Sequence, residues 1–327
     1  MAIKDTSFIN GIVKSREKYL ITGEKFARMA DSVSADEAFS LLRENGFGGE
    51  GEFCCADYEK LINGERQKLE NFIREYCPEK RFADCVFSEN DFFNAECALR
   101  LHYGAGDKAM YKTEGNVLLS ELTAYVKGEK STVPSHISKA IDEAKKLFDE
   151  NAATGFKVGM IFLRAYYAYA LKTAVKGAQK DGVVYEIDCK NISTAVRQIG
   201  RESGKNADNG YIDGGKIDLR DLEVIASGDE NAVLKKFSSS EYLPLIKLAL
   251  KEKLSGKPLV EFERECESFT LKKLKERRFE TEGLLPLLLY YNYKINELKN
   301  VRIVLVGKIS GADKEVIRTR LRECYAG

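Results

Sequence analysis

Gly283-Leu284-Leu285-Pro286-Leu287-Leu288-Leu289-Tyr290-Tyr291-Asn292-Tyr293-Lys294 opens the stretch that decides the fold. Ile295-Asn296-Glu297-Leu298-Lys299-Asn300-Val301-Arg302-Ile303-Val304-Leu305-Val306-Gly307-Lys308 completes it. Leu288, Tyr291, Ile295, Leu298, Arg302 and Leu305 recur at steps of three and four, the spacing of a helix with one buried face. Pro286 suits the first turn, where a missing N–H costs little, and Gly307 and Gly311 are expected to break the helix.

Part of this stretch has relatives elsewhere in the chain. An acidic residue, two variable positions and an asparagine occur at Asp91–Asn94, Asp188–Asn191 and Glu297–Asn300, with the asparagines 97 and 109 residues apart. A second echo joins Gly215-Lys216-Ile217-Asp218-Leu219-Arg220-Asp221-Leu222-Glu223-Val224-Ile225 to Gly307-Lys308-Ile309-Ser310-Gly311-Ala312-Asp313-Lys314-Glu315-Val316-Ile317, identical at seven of eleven positions. Gly115-Asn116-Val117 stands 100 residues before Gly215-Lys216-Ile217, and Tyr111 and Tyr211 keep the same offset. Three diverged copies of one helical unit account for the pattern, with expected units at 1–114, 115–214 and 215–327. Runs at 57–76, 135–150, 155–179, 242–255 and 259–279 are amphipathic with helical period, as is 7–30, and alternating strand patterns are scarce. Ser34 and Glu37 form the pattern of a capping box before a further short helix. The expected fold class is all-α.

Pro-Leu, Tyr, Lys, Glu-x-x-Asn, Arg and Gly-Lys, in that order over Pro286 to Lys308, resemble the C-terminal signature of one V-type ATPase family. That family comprises the archaeal and bacterial C subunits and the eukaryotic d subunit. Tyr185-Glu186-Ile187-Asp188 before Asn191 supports the resemblance, which extends from Phe8 through Leu321. It implies three similar helical units around a pseudo-threefold axis, forming a funnel. It also implies a non-catalytic adapter between the central stalk above and the membrane rotor ring below, on the cytoplasmic face, serving rotational transport of protons or sodium ions. The isolated chain is then expected to be a monomer without cofactor.

Composition agrees with that expectation. Lys and Arg number 52 against 51 Asp and Glu, so no basic field recommends nucleic acid as a partner. Val158 to Val175, the most apolar run, contains Arg164, Lys172 and three tyrosines, and reads as a core helix rather than a membrane span. Eight cysteines without a C-x-x-C pair, and only His102 and His136 as imidazoles, argue for reduced structural thiols and against zinc.

Each motif that suggests chemistry has a duller reading. Gly46-Phe47-Gly48-Gly49-Glu50-Gly51 matches G-x-G-x-x-G, but a helix rather than a strand precedes it, so a loop is expected. Gly200 to Asn206 resembles a P-loop with one residue missing between the glycines and Asn206 in place of Ser or Thr, so no nucleotide site is assigned. Asp91, Asn94, Asp188, Asn191, Glu297 and Asn300 are expected to be structural, through helix-start or interhelix hydrogen bonds. Lys272, Lys273, Lys275, Arg277 and Arg278 form the densest basic run, either a solvated helix face or a docking face for an acidic partner or lipid headgroups. An enzyme would need a convergent titratable cluster, and a solenoid scaffold more repeats at a steadier period; the adapter reading is preferred to both.

Overall fold

The computed structural model describes residues 5–49, 51–107, 110–112, 115–200, 209–280 and 283–326. Among them the chain is all-α, with no strand: α1 (Thr6–Glu17), α2 (Gly23–Asp31), α3 (Ala35–Glu44), a 3₁₀ turn (Cys55–Asp57), α4 (Tyr58–Tyr76) and α5 (Lys80–His102) come first. Next are α6 (Leu119–Lys127), α7 (Ser135–Asp149), α8 (Gly155–Thr173), α9 (Ala178–Gln198), α10 (Leu219–Ala226), α11 (Glu230–Lys236), α12 (Leu243–Leu254) and α13 (Val260–Glu276). The last two are α14 (Leu285–Ile309) and α15 (Lys314–Arg320). No helix among the described residues is long and apolar enough to cross a membrane.

The chain divides into two compact units. One joins both ends of the sequence, residues 1–80 and 268–327, and the other is residues 81–267. In the first, α14 is the central element: α1, α2, α3, α4 and α15 all pack on it. Leu298, Val301, Val304 and Leu305 of α14 share a core with Phe26, Met29, Leu42 and Ile62. This explains why a single stripe under-describes α14. Leu287, Tyr290, Tyr293, Asn296 and Asn300 are buried as well as Leu288 and Leu298, whereas Tyr291 and Ile295 are only partly covered and Arg302 is exposed. A helix wrapped by neighbours has no solvent face wide enough to leave a clean period. It also runs through Gly307 and ends at Ser310–Gly311; the glycine at 307 lies against Ile317, whose side chain a Cβ would meet at 2.7 Å.

The expected single helix over 7–30 is two helices, α1 and α2, separated at Lys18–Thr22. Ser34 caps α3 by accepting from the Glu37 N–H, while the Glu37 carboxylate accepts from Val33 rather than from Ser34 itself. Gly46, Gly48, Gly49 and Gly51 all have positive φ, and form the loop between α3 and the 3₁₀ turn; Glu50 lies outside the described residues.

Among the described residues of the second unit, two apolar clusters frame α5, α8 and α9. In one, Phe92, Ala95 and Leu99 of α5 meet Leu122, Val126, Ile137, Ile141, Val158 and Phe162. The other gathers Met160, Tyr167 and Ala170 of α8 with Val183 and Ile187 of α9. The apolar run over Val158–Val175 is thus a core helix. All eight cysteines are free thiols.

Candidate functional site: three side-chain clamps

The six signature residues occupy the middles of the three longest helices, α5, α9 and α14, and all are buried, between 0% and 3% exposed. The asparagines bind neither a helix start nor a neighbouring helix. Each asparagine instead pairs with the backbone of one residue in a strap outside the helices. Asn94 donates to the Lys112 carbonyl (2.7 Å) and accepts from the Lys112 N–H (2.8 Å). Asn191 does the same to Ile212 (both 2.8 Å), and Asn300 to Arg322 (3.1 and 2.7 Å). A primary amide offers one donor and one acceptor side by side, the complement of one residue's backbone, which explains why the position is Asn.

One helical turn earlier, the acid takes the next piece of strap. Asp91 Oδ1 accepts from Asn116 (2.7 Å) and Val117 (2.8 Å). Asp188 accepts from Lys216 (3.1 Å) and Ile217 (3.0 Å), and the Tyr242 hydroxyl donates to it at 2.5 Å. Two residues beyond the last clamped N–H a short helix begins, α6 at Leu119 and α10 at Leu219. The carboxylate therefore sits at a helix entry, where the peptide dipoles favour negative charge.

In the third copy the clamped strap comes from the other end of the sequence. Glu297 Oε2 accepts from the Ile21 N–H at 2.7 Å, across 276 residues, and α2 begins two residues later at Gly23. The break at Lys18–Thr22 that interrupts the expected 7–30 helix contains this strap. Gly215-Lys216-Ile217 is therefore matched in structure by Tyr19-Leu20-Ile21. Gly307-Lys308-Ile309, its sequence echo, is the last turn of α14. Acid and strap residue change together. A Cβ on Gly115 would stand 2.5 Å from Asp91 Oδ1, and one on Gly215 2.2 Å from Asp188 Oδ1. Glu297 carries one more methylene and reaches farther, and Tyr19 at the corresponding position is 70% exposed.

Electrostatics differ among the copies. Burial pushes the Asp188 carboxyl above the usual range, and the bonds from Tyr242, Ile217 and Lys216 draw it only part of the way back. Burial also raises Glu297, against the pull of Lys294, whose ammonium is 2.5 Å away. Lys294 contacts Glu65 as well, at 2.9 Å, and the two carboxylates outweigh the burial that would otherwise lower its pKa. Glu65, despite burial, is held below the usual range by Lys294 and Lys68.

The basic run is largely occupied within its own unit. Lys275 pairs with Glu323 at 2.8 Å, Lys273 with Glu276 at 3.0 Å and Arg277 with Glu280 at 2.7 Å; Arg278 lies over Phe279, and Lys272 is exposed. The P-loop-like segment falls mostly on residues 201–206, outside the described residues.

In this all-helical chain the buried acids and amides of α5, α9 and α14 are thus spent on holding backbone segments. Residues 9–320 match the model of the ATP synthase (C/AC39) subunit family, and the chain belongs to that family. It is 22% identical over 331 residues to the C subunit of the V-type sodium ATPase of Enterococcus hirae, covering 97% of this chain and 98% of that one. It is also 22% identical over 349 residues to the C subunit of the A-type ATP synthase of Methanocaldococcus jannaschii, covering 96% of this chain and 86% of the relative.

Proposed function

We propose that this protein is the non-catalytic adapter of a V-type or A-type rotary ATPase, seated between the central stalk and the membrane rotor ring on the cytoplasmic face. The observation that carries the reading is the family match over residues 9–320, joined to relatives matched along nearly their whole length. The clamps suit the task. A part that transmits torque must resist deformation, and each clamp ties a long helix to the strap that enters the next helix. Every such buried, doubly bonded side chain is costly to disengage.

The proposal includes three repeat units, divided where the clamps divide the chain. Boundaries at 114/115 and 214/215 would cut between Lys112 and Asn116, and between Ile212 and Lys216, inside the clamped straps. The units proposed instead are α5–α8, α9–α13, and α14–α15 completed by α1–α4. Purification of the native complex through a tag on this chain tests the assignment: stalk and ring subunits should come with it in fixed ratio. Recovery of the chain alone, or with unrelated proteins, would overturn it.

A further inference from the structure

Cys189 on α9 and Cys266 on α13 belong to the unit formed by residues 81–267. Most thiols of the chain end on an oxygen. Cys54 donates to the Asp57 carboxylate at 3.2 Å, Cys55 to Asp36, Cys77 to the Glu79 carbonyl at 3.5 Å and Cys324 to the Arg322 carbonyl at 3.4 Å. Cys85 reaches the Ala170 carbonyl at 3.9 Å. Cys189 and Cys266 instead share a hydrogen bond with each other, sulfur to sulfur, across 266 − 189 = 77 positions of sequence.

Other contacts fix the backbone around the pair. α12 packs on α9, and Glu252 of α12 accepts from the Glu261 N–H at 3.2 Å and the Phe262 N–H at 3.0 Å, which holds the first turn of α13. Arg197 of α9 pairs with Glu263 of α13 at 2.6 Å. Arg197 lies two turns beyond Cys189, and Glu263 one turn before Cys266, so the same faces of the same two helices carry the ion pair and the thiols. A disulfide needs converging Cβ vectors and Cα atoms within about 7 Å, and thiols already in hydrogen-bond contact supply the convergence. Cys189 is 6% exposed and Cys266 is partly buried, so the approach suits a small oxidant rather than a bulky one.

We propose that Cys189 and Cys266 are an oxidisable dithiol, closed to a disulfide by hydrogen peroxide and reopened by a thiol, which staples α13 to α9. The Cys266 thiol is held protonated by the hydrogen bond it shares with Cys189 and then by burial, which makes it the second sulfur to react. The Cys189 sulfur, after losing its proton, attacks one peroxide oxygen; the O–O bond breaks and the departing hydroxide takes up that proton as water. The Cys266 sulfur then attacks the sulfenic sulfur of Cys189, and its own proton leaves with the hydroxyl as a second water. Two thiols lose two electrons and two protons, and one peroxide becomes two waters. Reduction by two molecules of a thiol restores both cysteines and leaves that thiol as its own disulfide. The inference is independent of the adapter reading.

The purified full chain, fully reduced, is treated with hydrogen peroxide at mildly alkaline pH, both folded and in urea, then digested without reductant and mapped by mass spectrometry. A Cys189–Cys266 cross-link should dominate the folded sample and vanish on adding dithiothreitol. It should lose that dominance in urea, where all eight thiols compete. The closed form should melt roughly 5–10 °C above the reduced form, because the cross-link restricts the unfolded chain. Cys189→Ala and Cys266→Ala should each abolish the cross-link and the rise in melting temperature. Oxidation that ends as sulfinic acid at the exposed Cys54, or in other pairings, with Cys189 and Cys266 still reduced in the folded chain overturns the proposal. So does a Cys189–Cys266 link no more frequent in the folded chain than in urea. Mapping uses the wild-type chain, so the outcome does not depend on either variant folding.

Discussion

At the scale of residues, the clamps turn two glycines into requirements of distance rather than of backbone angle. Gly215→Ala would place a methyl 2.2 Å from Asp188 Oδ1, so strap and carboxylate must separate and the two backbone bonds to Asp188 are lost or lengthened. Leaving such groups buried and unpaired costs about 1–3 kcal/mol. Gly215→Ala and Gly115→Ala should each destabilise by about that amount in urea unfolding, whereas Tyr19→Ala, at the Glu-bearing copy, should stay within about 0.5 kcal/mol of the wild type. Equal losses at all three sites would contradict the distance argument. The signature itself was legible: three acid-x-x-Asn patterns mark three buried sites. Its partners were not, because the bonds to backbone join residues 18 to 29 positions apart in two copies and 276 apart for the acid of the third. No local pattern encodes such a pairing, and the stronger sequence match to Gly307-Lys308-Ile309 pointed to a segment that lies within a helix.

Helices were the most readable level, since period and caps are local. The five amphipathic runs became α4, α7, α8, α12 and α13 with ends shifted by a few residues. The 7–30 run has a continuous apolar pattern but folds as two helices, because Ile21 between them is held by the distant Glu297. α14 is the element on which the first unit depends most, and Leu298→Pro tests that dependence. Proline there deletes an interior hydrogen bond and clashes with the preceding turn, a loss of about 3 kcal/mol or more, and removes a side chain only 1% exposed. The variant should unfold at markedly lower urea; a midpoint unchanged from the wild type would contradict the central role given to α14. The Glu65–Lys294–Glu297 cluster adds a pH dependence. Because Glu65 is held below its ordinary 4.5, its share of stability is present above that pH and lost as pH falls through the lower folded value. Glu297, raised by burial, changes in the opposite sense and protonates first. Melting temperature against pH should therefore fall more steeply below pH 4.5 in the wild type than in Glu65→Gln, and parallel curves would contradict the assignment.

For the molecule as a whole, the two chain ends meet on α14. Glu297 holds the N-terminal strap at Ile21, and Asn300, one turn on, holds the C-terminal tail at Arg322. One compact unit joins the beginning of the sequence, residues 1–80, to its end, residues 268–327. A consecutive three-way partition was the natural reading of evenly spaced motifs, and nothing local in Leu20–Thr22 announces that it belongs to Glu297. On the proposed function, this body couples nucleotide turnover elsewhere in a rotary complex to ion movement through the membrane ring. The most direct measurement records ATP hydrolysis and ion flux from the same vesicles, reconstituted with the complex in the presence and absence of this chain. Ion flux per ATP hydrolysed should collapse when the chain is withheld and return when it is added back, while hydrolysis by the catalytic head continues. Unchanged flux per ATP from complexes shown to lack the chain would contradict the account.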